Sequence, residues 1–184
     1  MARTILFDID DTLNNLVEVW INLYNEQYND TLSIDDILTY RIEDYVKPEV
    51  GLKIYDILDT PNLFSELVSP VKGSIEVLEE LNNDPNYDII IVSSCLKQEH
   101  YDDKLKFLKK HYPFLDTSKF YSSASGEKYR FLSSDGVMVD DNPHNFKDFD
   151  GLAFMPNYAY NRGYDRVNMV RIDSLKEILE YLNQ

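Results

Sequence analysis

Three short apolar runs in this chain each end in polar residues suited to phosphate and metal chemistry. Thr4 to Phe7 leads into Asp8, with Asp10, Asp11 and Thr12 close behind; Asp88 to Val92 leads into Ser93 and Ser94; Gly136 to Val139 leads into Asp140 and Asp141. If the runs are parallel strands, their carboxyl ends share one sheet edge, where open α/β sheets bind ligands. Four or five carboxylates gathered there repel each other strongly unless a hard cation sits among them, and an all-oxygen donor set suits Mg²⁺. The two hydroxyls would then face an anion that shares the metal. A single Asp after a strand is commonly a turn or cap residue. Three strand ends carrying matching polar groups, in an order that one mechanism explains, point instead to phosphoryl transfer through an aspartyl phosphate. Asp8 would attack phosphorus, and Asp10, two residues on, would protonate the leaving alkoxide and then activate water.

Continuous rather than alternating hydrophobicity in these runs predicts strands buried on both faces, as in a parallel sheet. Helical patterns over Gly73 to Asn82 and Gln98 to Lys110 flank the second run, and the alternation predicts an α/β fold with right-handed crossovers. Val167 to Ile172 is a further strand candidate and Ser174 to Leu182 a closing helix. The segment from Asn15 to about Ser69 contains no strand candidate. It reads as helices over Leu16 to Tyr28, near Ser33 to Asp44, after Pro48 and after Pro61, with Ser33 and the prolines at helix starts. The expected organisation is therefore an α/β core from residues 1–14 and 70–184, with a helical cap over 15–69 inserted after the first strand.

Composition narrows the partners. Asp and Glu number 33 against 18 Lys and Arg, a formal charge of −15. Nucleic-acid polymers and anionic membrane surfaces both ask for basic patches, so neither is an expected partner. The one cysteine, Cys95, cannot close an intramolecular disulfide, and no apolar stretch approaches the roughly 20 residues of a membrane span. The N-terminus lacks the pattern of a signal or transit peptide, and a cytoplasmic location is expected.

The sequence Asp8-Ile9-Asp10-Asp11-Thr12 after an apolar strand resembles the first motif of the haloacid dehalogenase (HAD) superfamily. IIIVSS, with Ser93, resembles its second motif and VMVDDN, with Asp140 and Asp141, its fourth. The resemblance implies a Rossmann-like core, Asp8 as nucleophile, Asp10 as general acid/base and Ser93 and Ser94 at the phosphate. It also implies an Mg²⁺ held by Asp8, the backbone carbonyl of Asp10 and Asp141, with Asp140 beside them. The superfamily's phosphate-neutralising lysine has no local signature. Lys128 in GEKYRF stands where the resemblance would place it, and Lys104 in DDKLKFLKK is the competitor.

The stretch PNLFSELVSPVKGSIEVLEELN, the double serine and VDDNP are similar, more narrowly, to the 5'(3')-deoxyribonucleotidase family, which carries a small helical cap after the first strand. That similarity implies removal of phosphate from nucleoside monophosphates. Family members often have Gly where this chain has Asp11, and mammalian members stack the base on an aromatic where Leu16 stands here. Trp20, Tyr24, Tyr40, Tyr45 and Phe64 are candidates for a nucleoside pocket, although aromatics at such spacing are more often core. The alternatives from the residues are a HAD phosphatase for a sugar phosphate or another metabolite, and a non-catalytic phospho-acceptor of the receiver type or a binding module.

Overall fold

The structure, a computed structural model, describes residues 2–183. Six strands, β1 (Arg3–Phe7), β2 (Tyr87–Ser93), β3 (Phe120–Ser122), β4 (Val137–Val139), β5 (Leu152–Pro156) and β6 (Met169–Ile172), form one sheet in the order β3-β2-β1-β4-β5-β6. Every pairing is parallel. The helices are α1 (Leu16–Tyr28), α2 (Ser74–Asn83), α3 (Gln98–His111) and α4 (Lys176–Leu182).

Alternate residues of the central strands face opposite layers, which is why their buried stretches are continuously apolar. Ile5, Phe7, Ile89, Ile91, Val137 and Val139 pack with Val77, Leu78 and Leu81 of α2, Phe107 and Leu108 of α3, and Ile178 of α4. Leu6, Ile90, Val92 and Met138 turn to the other face and pack with Phe146, Phe149 and Met155. Successive strands run outward from β1 to β2 and β3 on one side and from β4 to β6 on the other. The order therefore reverses between β1 and β4, where doubly wound sheets open a ligand crevice.

Residues 16–67 contain no strand among the described residues. After α1 they form short helical turns at Ile34–Asp36, Ile42–Asp44, Gly51–Asp59 and Leu63–Leu67. Trp20, Ile21, Tyr24, Ile37, Ile42 and Ile54 belong to a cluster separate from the two sheet layers, reached from the rest of the chain by Tyr160. Two adjacent strands of backbone carry the segment: Asn14 bridges Pro70 antiparallel, and the Val71 amide donates to the Leu13 carbonyl at 2.9 Å. A second attachment is a carboxylate. Asp103 of α3, buried, accepts hydrogen bonds from the Phe64 amide (2.9 Å), the Ser65 amide (3.3 Å) and the Ser65 hydroxyl (2.5 Å).

Two strands escape the sequence pattern. β3 is a three-residue edge strand with two of its residues exposed, too short and polar to register. β5, Leu-Ala-Phe-Met-Pro, has no β-branched residue and ends in proline. The helix expected near Ser33 to Asp44 is two three-residue turns. Asp36 closes a capping box with Ser33 as its start predicts, but Ile37 is extended, with φ −87° and ψ 108°, and the chain bends so that Ile37 and Ile42 are buried.

Replacing Asp103 by Ala leaves two amides and a hydroxyl without their acceptor. Hydrogen bonds to charged groups contribute about 1.5–3 kcal/mol each, with losses that do not add, so the variant should lose on the order of 3 kcal/mol in urea denaturation.

Candidate active site

The backbone sets the geometry first. The Asp8 amide donates to the Val139 carbonyl at 3.0 Å and the Asp140 amide to the Phe154 carbonyl at 3.2 Å. These bonds continue the sheet ladder just past its edge and bring Asp8 against Asp140 and Asp141. The chain then turns sharply, with the Thr12, Leu13 and Asn14 amides all directed at the Ile9 carbonyl. That turn requires a left-handed residue, and Asp11 supplies it at φ 53°. Glycine meets the same requirement without a Cβ penalty, and Asp is among the few side chains that tolerate it. Asp11 also accepts the Val17 amide at 3.0 Å, tying the turn to the start of α1.

Asp8, Asp140 and Asp141 each offer a carboxylate oxygen, all within 4.8 Å of one another and all buried. At that separation and an effective dielectric of about 20, each carboxylate pair repels by about 3 kcal/mol. Lys128, 1% exposed, places Nζ 2.7 Å from Asp8 Oδ1 and 2.7 Å from Asp140 Oδ2. Three carboxylates and one ammonium leave a net charge of −2, which one divalent cation would cancel. Asp8 Oδ1 is moreover a buried oxygen that accepts no hydrogen bond, the Lys128 ammonium approaching it outside hydrogen-bonding geometry. The donor set is all oxygen and hard, and it fits a divalent ion of the Mg²⁺ type.

The titration behaviour follows from that crowding. Burial, reinforced by Asp140, Asp11 and Asp8, holds Asp141 well above the ordinary carboxylate range despite the Tyr40 hydrogen bond. Burial pushes Asp140 up to about 6 against the opposing pull of Lys128. Burial works against the Lys128 ammonium, but Asp140 and Asp8 outweigh it and raise its pKa above the ordinary lysine value. Asn145 steadies Asp140 with Nδ2 at 2.8 and 2.9 Å from its two oxygens. Asp141 accepts from the hydroxyls of Tyr160, at 3.0 Å, and Tyr40.

The Asp10 carboxylate stands outside the three-carboxylate group. It pairs with Lys104 through Oδ2 and accepts from Asn14 Nδ2 at 3.2 Å through Oδ1, so any part of Asp10 in metal binding falls to its backbone carbonyl. The Ser93 hydroxyl, fully buried, lies 3.1 Å from Lys104 Nζ, whereas Ser94 lines the open cavity. The structure thus gives Lys128 and Lys104 different carboxylates: Lys128 stands with Asp8 and Asp140, Lys104 with Asp10 and Ser93.

Above these groups lies a cavity of about 350 Å³, floored by Asp8, Asp10, Lys104, Lys128 and Asp141 and walled by residues of the helical segment. Of the aromatics proposed for a pocket, Trp20, Tyr40 and Phe64 line it. Tyr24 is fully buried and gives its hydroxyl to Asp30, and Tyr45 bonds Thr39 at 3.3 Å. Tyr55, Tyr160 and His100 line the cavity without having signalled themselves in sequence. Asn14 is another silent participant: fully buried, it accepts the Asp11 and Leu16 amides at 3.2 and 3.1 Å while donating to Asp10. Arg41 stays at the surface with Glu43 and Asp44.

Solved structures of HAD-type hydrolases share this fold. CbbY from Rhodobacter sphaeroides, solved in complex with phosphate, superposes with a TM-score of 0.64 at 16% identity, covering all of both chains. A putative HAD hydrolase from Bacillus subtilis, solved with bound magnesium, superposes with a TM-score of 0.62 at 16% identity over 100% of this chain and 99% of its own. Within the class, residues 2–183 match the family model described as 5' nucleotidase, deoxy (pyrimidine), cytosolic type C protein. The 5'(3')-deoxyribonucleotidase of Clostridium acetobutylicum is 35% identical over 96% of this chain and 98% of its own length. The chain belongs to this deoxyribonucleotidase family.

Mg²⁺ should raise the melting temperature by several degrees at about 100 times its dissociation constant, equivalent to about 2.7 kcal/mol. Asp141→Asn should melt higher than the parent without metal, because a repelling charge is gone, and should lose the Mg²⁺-dependent rise. Differential scanning calorimetry with and without Mg²⁺ reads both effects.

Proposed function

We propose that this protein is an Mg²⁺-dependent phosphatase of nucleoside monophosphates, working in the cytoplasm through an aspartyl phosphate on Asp8. By fold and family it is a phosphomonoester hydrolase of the HAD type. The observation that carries the finer reading is a buried carboxylate, Asp8, beside a buried ammonium, at the floor of a small cavity with aromatic walls. A phosphate needs charge at one end of such a site, and a nucleoside needs flat apolar surface at the other. Residues 15–69 serve as the cap that supplies that surface.

Asp8 attacks phosphorus as the bond to the leaving oxygen breaks, and the proton held by Asp10 passes to the departing alkoxide. Asp10 then takes a proton from water as the water oxygen attacks phosphorus and the Asp8–phosphorus bond breaks, releasing inorganic phosphate. Lys128 neutralises charge on the phosphate and on Asp8, and Ser93 and Ser94 stand beside it. Asp8 and Asp141, with Asp140 adjacent and the Asp10 carbonyl, would hold Mg²⁺, which when bound offsets charge building on the phosphoryl oxygens.

A sugar-phosphate phosphatase would share all of these residues, but a planar base matches the walls of Trp20, Tyr55 and Phe64 over more flat apolar surface than a hydroxylated sugar does. The receiver alternative is disfavoured by topology. Flavodoxin-like receivers order their strands 2-1-3-4-5, whereas here β1 lies between β2 and β4.

Asp8→Asn should fold normally and lose turnover by more than about 10⁴-fold; appreciable remaining activity on any phosphomonoester would overturn the nucleophile assignment. Across nucleoside monophosphates and sugar phosphates, kcat/KM should favour the nucleotides, and a preference for sugar phosphates would move the reading to the alternative.

A further inference from the structure

The second buried lysine is the feature of this site that the HAD motifs leave without a task. Lys104 is 1% exposed, on the face of α3 that meets the cap. Its ammonium pairs with Asp10 Oδ2 and donates to the Ser93 hydroxyl at 3.1 Å and the Ser94 carbonyl at 2.9 Å. It also lies 4.7 Å from the centre of the Phe64 ring. Phe64 is itself fixed, because Asp103, the residue before Lys104, accepts the Phe64 amide. Two neighbouring residues of α3 thus hold the last turn of the cap and the Asp10 side chain together.

Burying a lysine is costly unless its charge is paired and its protons are placed. Here all three directions of the ammonium are used, on groups from the first loop and the second loop of the site. Lys128 makes none of these contacts, so the two lysines are not duplicates. With Asn14 holding Oδ1 and Lys104 holding Oδ2, the Asp10 carboxylate is clamped at both oxygens.

We propose that Lys104 is a positioning residue that fixes Asp10 against the leaving-group oxygen, and that the cap sets this position through Phe64. The proposal rests on the reading of Asp10 as general acid/base. It requires that losing Lys104 harm the transfer of a proton to the leaving group more than it harms attack by Asp8. An alkoxide leaving group, as in a nucleoside monophosphate, needs that proton as the phosphorus–oxygen bond breaks. p-Nitrophenolate leaves without it.

The test is the first turnover, measured by rapid mixing of the Mg²⁺-loaded full chain with deoxythymidine monophosphate and with p-nitrophenyl phosphate. In Lys104→Met, release of the nucleoside should slow by about 100-fold, the scale of lost general acid catalysis, and release of p-nitrophenolate by less than about 10-fold. Lys128→Met should slow both about equally. The ratio between substrates is independent of how much enzyme is folded, and Lys104→Gln, which keeps a donor, serves where the Met variant does not fold. Phe64→Leu should move the ratio in the same direction by a smaller factor. Equal losses on both substrates in the Lys104 variants would overturn the proposal while leaving Asp8 as nucleophile intact. An Asp10→Asn variant that releases the nucleoside as fast as the parent would instead remove the reading on which it rests.

Discussion

Lys128 lies between Asp8 and Asp140, carboxylates from the ends of neighbouring strands, and the rest of the site depends on that contact. Without it, two sheet ladders would deliver unscreened charges of one sign to the same buried point. With it, a charge of −2 remains, and the repulsion still present among Asp8, Asp140 and Asp141 becomes the drive to bind a divalent cation. Asn145, Tyr40 and Tyr160 add hydrogen bonds but no charge, so they orient the acids without cancelling them. A site built this way is poised to gain from a metal and, with it, from a phosphate.

The second acid belongs to a different pairing. Asp10 pairs with Lys104 beside the cluster, which separates its carboxyl group from those of Asp8, Asp140 and Asp141. The tight turn at Ile9–Asn14 makes this separation possible, since successive side chains leave it in different directions. Asp11 in the left-handed region and the fully buried Asn14 are structural requirements of that turn.

Much of this was legible in the residues. The strands carrying Asp8, Ser93 and Asp140 announced themselves because a strand buried on both faces is apolar at every position, and α1, α2 and α3 because their apolar stripes repeat with the helical period. The edge strand Phe120–Ser122 and the strand Leu152–Pro156 did not, since neither is long or β-branched. The paired aspartates were visible because they follow strands directly. Lys128 and Lys104 could not be told apart, because a lysine's task depends on which carboxylate its long side chain reaches, and only the packing of α3 and of the Lys128–Phe131 turn determines that. Asn14 acts through burial inside its own turn, and Tyr160 and His100 through partners far along the chain, none of which leaves a periodic signal. The pocket aromatics divided for the same reason: Trp20 and Tyr24 lie one turn apart on α1, yet one lines the cavity and the other is core.

An acidic chain that handles a phosphate dianion must capture it at short range, since its overall field at −15 is repulsive. Lys128, with a divalent ion to offset the remaining acid charge, would meet that need inside a cavity whose walls are otherwise largely apolar. The most direct test of this charge balance is a crystal structure with Mn²⁺ in place of Mg²⁺, located by anomalous scattering. One site is expected, bonded to carboxylate oxygens of Asp8 and Asp141, with the Lys128 pairings to Asp8 and Asp140 retained. A metal bound elsewhere, or one that displaces Lys128 from Asp8, would contradict it.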